Sequence, residues 1–438
     1  MELIDRDGFK KLADLAMGAT KAEHVSVSLG DSTGGTARFA NNQITQNIDV
    51  RRQSFTVSIA NGKKHGSAST TTLTDEAIRD TVKRAEQIAA VSPEDEEFLP
   101  PLPAQRMPIF PTLRPETLAA TPQQRTAAAG DSIKLCLAEN LVAAGTVSAY
   151  TSAVGLAANS GLFGFETRSS AEFSLTATGA DSSGWVSNNN RSFNDLGVIE
   201  RTKIAIEKAK RSANPRELPA GKYTVILEPA AVSGLFGPLL GALNAKSYYR
   251  GTSALSDKLG RQVLDSRLSL QNRPDHPSLL GDGFSGAGLP ADYKTWIRDG
   301  ILKELNYDRF TAKKYNVAPS APLDAAHLSG AGAAGETLDS LLSGTQRAVL
   351  ITNFWYIRPV NPTDLTLTGM TRDGTFLVED GKIVAGLQNF RWHDSPLRAF
   401  NAVDAFTAPD DAWTLERNKM FLPAFKIRDF NFSSVTKF

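Results

Sequence analysis

The sequence predicts an α+β protein: an N-terminal α+β domain, residues 1–215, on a long-stranded antiparallel sheet, and a C-terminal β-rich, barrel-like domain, residues 216–438. Three observations carry this. A chain of 438 residues exceeds the size at which a single hydrophobic core keeps growing, so two domains are expected. The first half runs twice through helix, hairpin and helix, roughly over residues 5–91 and 121–211. Past Pro219, and beyond one apolar helix at 229–245, helical signals thin out and short strand-like runs alternate with turns.

The first cycle opens with Phe9, Leu12, Leu15 and Ala16 at helical spacing behind Asp5, a side chain suited to capping. Val25, Val27 and Leu29 then alternate with polar residues, the period of a strand. A second strand is expected from Ile44 to Ile59, a turn at Asn61-Gly62, and a return strand from His65 to Thr71. Thr74 should cap a helix bearing Ile78, Val82, Ala85, Ile88 and Ala89. From Ser92 to Pro122, an acidic run and a dense series of prolines exclude regular helix and central strand, so an extended surface segment is predicted.

In the second cycle Thr121 and Gln124 have capping-box spacing around Pro122, which favours the first helical position. Strands Gly145–Asn159 and Phe163–Thr178 should flank a turn at Asn159-Ser-Gly161. A further helix is expected from Asn194 to Lys210. In the second half, strands are predicted at Tyr293–Arg298, Ala348–Trp355, Thr375–Val378 and Lys382–Val384. Turns fall at Asp299-Gly300, Asp373-Gly374 and Asp380-Gly381. The Gly/Ala-rich stretch Ser329–Gly335 reads as a mobile surface loop; it lacks the lysine and setting of a phosphate-binding loop.

Apolar residues make up 41% and charged residues 22%, a globular balance that argues against disorder. The 48 basic and 47 acidic residues nearly cancel, so the chain carries no overall electrostatic footprint for nucleic acid. Cys136 is the sole cysteine, which rules out an intramolecular disulfide and fits a reducing compartment. Acidic residues near Met1 and the lack of any long uncharged apolar stretch lead to the expectation of a cytoplasmic protein without a membrane partner.

Chemistry-bearing residues are sparse. His24, His65, His276, His327 and His393 share no helix turn, and none has a glutamate at zinc-hydrolase spacing. His393, within Arg391-Trp-His-Asp-Ser395, has the most polar company. Cys136 lies between Leu135 and Leu137 on a predicted helix, a packing rather than a reactive setting. Two groups combine aromatic and basic side chains: Tyr248, Tyr249 and Arg250, and Trp355, Tyr356 and Arg358. Such groups could line a groove for an extended peptide on one cleft wall, or serve as structural arginines with aromatic packing.

The segment Ile226–Ser253 reads as a strand entering an apolar helix, with Leu235, Phe236, Leu239, Leu240 and Leu243 as a packing stripe. With Leu255–Val263 it resembles the TldD/TldE (PmbA) family of bacterial metalloproteases. Arg38–Gln46, Arg298–Lys303 and Phe376–Ile383 resemble further family segments in the same order. Catalytic members carry His-Glu-x-x-x-His on this helix, two zinc-binding histidines and a general base. The shared Arg-Gly-Thr-Ser at Arg250–Ser253 places those positions on Phe236, Gly237 and Gly241. The family's further cysteine ligand is also missing.

The resemblance implies a TldE/PmbA-like subunit with no catalytic residue and no metal of its own. It also implies a heterodimer with a TldD-like catalytic subunit that holds the zinc. The pair would process unfolded or leader-peptide segments, and is linked to modulation of DNA gyrase. Tyr249, Arg250, Trp355 and Arg358 are then candidates for a substrate groove. Two alternatives remain open from the residues alone: a self-sufficient metallopeptidase with unrecognised ligands, and a stand-alone peptide-binding or scaffold protein.

Overall fold

A computed structural model describes residues 2–321, 323–333, 335–414 and 417–436. The first sheet is antiparallel, in the order β3-β2-β1-β4-β5-β6. Its strands are β1 (His24–Ala40), β2 (Gln43–Asn61), β3 (Lys64–Thr70), β4 (Val142–Ala158), β5 (Phe163–Thr178) and β6 (Ser183–Asn190). Valine and leucine alternation in β1 faces Phe55, Val57 and Ile59 of β2 in register, and buries that face. The helices α1 (Arg6–Gly18) and α2 (Asp75–Val91) close over this part of the sheet. Asp5 and Thr74 cap them by accepting the N–H of Gly8 and of Ala77.

The second cycle repeats the device. After a short helix, α3 (Pro115–Leu118), α4 (Pro122–Ala138) starts in the capping box that Thr121 and Gln124 form. The next helix departs from expectation. Phe193–Leu196 is a single 3-10 turn, and Gly197 at φ 62° reverses the chain before α5 (Val198–Arg211). Only glycine takes that backbone conformation without a Cβ penalty, so the start falls there and not at Asn194. The polar strand β6 has almost no apolar alternation and escaped the sequence reading; α5 covers it where Ala205 and Ala209 meet Gly184, and Trp413 and Lys419 from the second half bond to it.

The proline-rich stretch runs extended apart from α3 and is held by its acidic residues. Asp95 pairs with His65, Glu96 with Lys63, and Glu97 with Lys246.

In the second half, β7 (Gly221–Leu227), α6 (Pro229–Ala242) and α7 (Ala245–Tyr249) follow one another directly. A six-stranded sheet takes the order β10-β9-β8-β11-β18-β17. These strands are β8 (Leu268–Asn272), β9 (Thr295–Arg298), β10 (Ile301–Leu302), β11 (Ala326–Gly330), β17 (Asp410–Thr414) and β18 (Arg417–Leu422). The remaining sheet contains β12 (Arg347–Asn361), β13 (Thr366–Glu379), β14 (Lys382–Gly386), β15 (Phe390–Asp394), β16 (Val403–Phe406) and β19 (Phe425–Val435) together with β7. Because β12 also pairs with β13, the path β12-β7-β19-β15-β13 closes on itself as a five-stranded barrel. Phe354, Trp392, Phe430 and Phe432 pack ring against ring inside it. Short helices α8 (Arg309–Tyr315), α9 (Leu338–Ser343) and α10 (Pro396–Ala399) lie in the connections.

Two expected segments differ in part: Ala331, Gly332 and Gly335 form the exposed turn expected of the Gly/Ala-rich stretch, but its first two residues do not. Ser329 and Gly330 end strand β11, where a Cβ on Gly330 would sit 2.0 Å from the Phe406 ring. Close packing, and not mobility, explains that glycine; Ala334 of the same stretch lies outside the described residues. Asp373-Gly374 is no hairpin turn either, because β13 continues through it. Its register against β12 steps from Ile351↔Thr375 to Asn353↔Arg372, which places one extra residue on β13. The pair, at φ 55° and 129°, is a β-bulge.

The two halves meet through buried polar groups. Lys419, fully buried, pairs with Asp411 at 3.0 Å and donates to the Asn189 carbonyl of β6. Arg191 donates to the Gly281 carbonyl at 2.8 Å, and Arg168 pairs with Asp282.

Candidate functional site

The apolar helix α6 occupies the place where the resemblance puts a metal. Glu228 precedes it and Pro229 takes its first position. Glu228 is held by Lys208 of α5 at 2.6 Å and by the Thr352 hydroxyl at 3.3 Å, so the start of α6 is fixed between α5 and the barrel. Phe236 is fully buried and stands edge-on to Phe400, centroids 5.4 Å apart. Leu235 and Leu239 are equally buried, and Gly234 lets Ile357 approach to where its Cβ would be.

Phe236, Gly237 and Gly241 offer no side-chain nitrogen, oxygen or sulfur, so zinc does not fit at these positions. Among the described residues no three histidine, cysteine, aspartate or glutamate side chains gather as a metal-holding group. Cys136 is buried on α4, and burial pushes its thiol up to about 11.

The histidines form two pairs that sequence spacing could not reveal. His24 of β1 and His65 of β3, on either side of Ala60 of β2, both lie against the Phe98 ring. His276 and His327 have ring centroids 5.5 Å apart, and both pack on Phe421. Burial, with its partner His276 next, lowers His327 to about 4. His393 is exposed on β15, and its carbonyl accepts from Asn431.

The four groove candidates have different company. Tyr249 ends α7, stacks on Tyr315 at 3.6 Å and shares a 2.9 Å hydroxyl hydrogen bond with Tyr307. Burial and that bond raise the Tyr307 phenol. Arg250 is the exposed C-cap of α7, with Gly251 at φ 71° turning the chain after it. Arg358 stacks on Tyr356 at 4.0 Å and donates to the Ile357 carbonyl at 2.9 Å. Tyr356 has φ 54°, an uncommon conformation for an aromatic residue, beside a register shift between Trp355 and Arg358.

Trp355 alone of the four lines the large cleft. That cleft, of about 760 Å³, opens between the β5–β6 turn, the 212–217 connection and the outer face of β13. Across β12 and β13, Asn353 faces Arg372 and Trp355 faces Met370. Phe354 between them points into the barrel core, so Asn353 and Trp355 share the outer face.

The Arg372 guanidinium lies 4.7 Å from the Trp355 ring centroid, and its Nε is 3.3 Å from Asp373 Oδ2. The Asp373 side chain is only 12% exposed, and burial raises its pKa above the ordinary carboxylate range. Asn353 Oδ1 is buried with no hydrogen-bond partner. Sequence reading missed Asp373, Arg372 and Asn353. The only signal was an Asp-Gly pair inside a run that stays strand-like on both sides.

An α+β sheet domain is thus joined to a closed barrel, with the apolar helix α6 packed in the barrel half. Residues 220–434 match the model of the PmbA/TldA metallopeptidase C-terminal domain, and residues 25–89 that of PmbA/TldA metallopeptidase domain 1. The chain belongs to the TldD/TldE (PmbA) family.

Metalloprotease PmbA of Escherichia coli O157:H7 is 27% identical over 169 residues, 37% of this chain and 36% of that protein. The PmbA homolog of Haemophilus influenzae is 25% identical over 122 residues, 28% of this chain and 27% of that protein. The alignment thus spans about a third of the length of these curated relatives.

Among solved structures, TldE from Thermococcus kodakarensis superposes with TM-score 0.86 at 17% identity, over 97% of this chain and 99% of that one. A Thermotoga maritima protein described as a candidate modulator of DNA gyrase gives TM-score 0.86 at 19% identity, over 97% and 99%. At such identities these likenesses establish the fold. Among the described residues no helix is long and apolar enough to cross a membrane.

Proposed function

We propose that this chain is the TldE/PmbA-like subunit of a TldD/TldE metalloprotease complex. It lacks a zinc site of its own and shapes the chamber in which a TldD-like partner cleaves peptide. One observation carries the reading: the helix that would bear the metal motif is a sealed packing helix, with Phe236 fully buried against Phe400 and glycine at 237 and 241. A chain that keeps the family framework without donors at these positions contributes surface and shape. Zinc then resides in the partner. The substrates are unfolded or leader-peptide segments, and nucleic acid is not contacted directly.

The test is co-expression with a TldD-like chain, followed by size exclusion, zinc analysis and cleavage of an unfolded peptide or casein. The expected result is chelator-sensitive cleavage by the mixture, none by this chain alone, and no stoichiometric zinc in this chain alone. Robust chelator-sensitive cleavage by the isolated chain would overturn the proposal and favour a self-sufficient peptidase.

A further inference from the structure

The 760 Å³ cleft beside Trp355 has a chemical bias. Its wall carries three carboxylates, Asp181, Glu217 and Asp373, against one guanidinium, Arg372. Asp181 and Glu217 stand exposed at the rim, whereas Asp373 is turned inward by the bulge it forms with Gly374. Bulges at barrel rims commonly re-aim one side chain in this way. Gly374 cannot be replaced at φ 129°, where a Cβ would also sit 2.6 Å from the Thr352 hydroxyl.

Arg372 shows what the geometry accommodates. Its guanidinium lies over the Trp355 ring and beside the Asp373 carboxylate, yet 48% of its side chain is exposed, so it is not locked there. Aromatic face plus desolvated carboxylate is a pairing that selects cations.

We propose that this cleft is a recognition subsite for a lysine or arginine side chain of an extended peptide. Asp373 accepts from the cation, Trp355 forms its aromatic wall, and Arg372 swings aside as the internal competitor. The proposal rests on the reading of this chain as a peptide-handling subunit, and adds the class of side chain selected.

The experiment uses the full chain and blocked pentapeptides of glycine with a central lysine, norleucine or glutamate, measured by calorimetry. The lysine peptide should bind at least about tenfold more tightly than the norleucine peptide, as expected for a desolvated cation with an aromatic and a carboxylate partner. In Asp373→Asn the margin should shrink to about threefold or less, since the charge is lost and the hydrogen-bonding shape retained. Arg372→Ala should keep or widen the margin because a competing cation is removed.

The double variant Asp181→Asn with Glu217→Gln changes only exposed rim residues, so it remains informative if Asp373→Asn fails to fold. It should narrow the margin and weaken its dependence on salt. Equal affinity for lysine and norleucine peptides, or a margin unchanged in these acid variants, overturns the proposal. So does a glutamate preference that disappears in Arg372→Ala. Selectivity is read on this chain alone and cleavage on the mixture. Partner-dependent cleavage without lysine selectivity would therefore remove this inference and leave the proposed function standing. Selectivity without cleavage would do the reverse.

Discussion

Replacing Phe236 with alanine should destabilise the chain by about 3–5 kcal/mol, the range for deleting a fully buried aromatic ring. The structure places the value in the upper part of that range. Phe236 has no exposed surface and stands edge-on to Phe400 at 5.4 Å, between the equally buried Leu235 and Leu239. Helix α6 cannot easily sink into the void, because Glu228 is pinned at its start by Lys208 and Gly234 already touches Ile357. Within a cycle that includes Phe400→Ala, the ring pair itself should account for about 0.5–1.5 kcal/mol of coupling.

Urea unfolding followed by tryptophan fluorescence measures this, provided the slope of the transition is the same for each variant. Phe236→His should be about as damaging as alanine, since a buried imidazole without partners adds a desolvation penalty. A loss below about 1 kcal/mol, in the range of ordinary surface substitutions and mild core ones, would refute the reasoning. It would mean that position 236 faces open space, as a metal-ligand position does, and the account of α6 as a packing helix would fail.

Three further outcomes are expected. The Cys136 thiol, buried and raised to about 11, should ignore an aromatic disulfide reagent in the folded chain at mildly alkaline pH and react fully in urea. His327, lowered from 6.5 to about 4, refuses in the folded state a proton that the unfolded chain accepts between those values. Its contribution to stability is therefore complete above pH 6.5 and lost as pH falls toward 4; His327→Gln should flatten the urea midpoint across that window. Thr121→Ala removes one half of the capping box at the start of α4 and should lower stability by about 1 kcal/mol, read from the same urea titrations.

Features set by local physics were legible from the order of residues alone. Asp5, Thr74 and Thr121 are helix caps because each side chain offers an acceptor to a free N–H at the start of a periodic apolar run. The long strands around Asn61-Gly62 and Asn159-Ser-Gly161 were legible because alternation and turn residues agree there. The apolar stripe of α6, and the lack of any donor at Phe236, Gly237 and Gly241, also needed only the order of residues.

The remaining features depend on contacts between distant parts of the chain. Polar β6 is a strand because it pairs along β5, and it stays buried under α5 and residues as distant as Lys419, 230 positions away. Asp373-Gly374 has the composition of a turn, yet β12 pairs with β13 on both sides of it, and β15 before and β14 after it on the other edge, which keeps the strand going and makes the pair a bulge. Trp355, Arg372 and Asp373 meet at one cleft because barrel closure fixes the β12–β13 register. Local propensity acts over a few residues, whereas a cleft is set by which strands meet, and that is settled by burial over the whole chain.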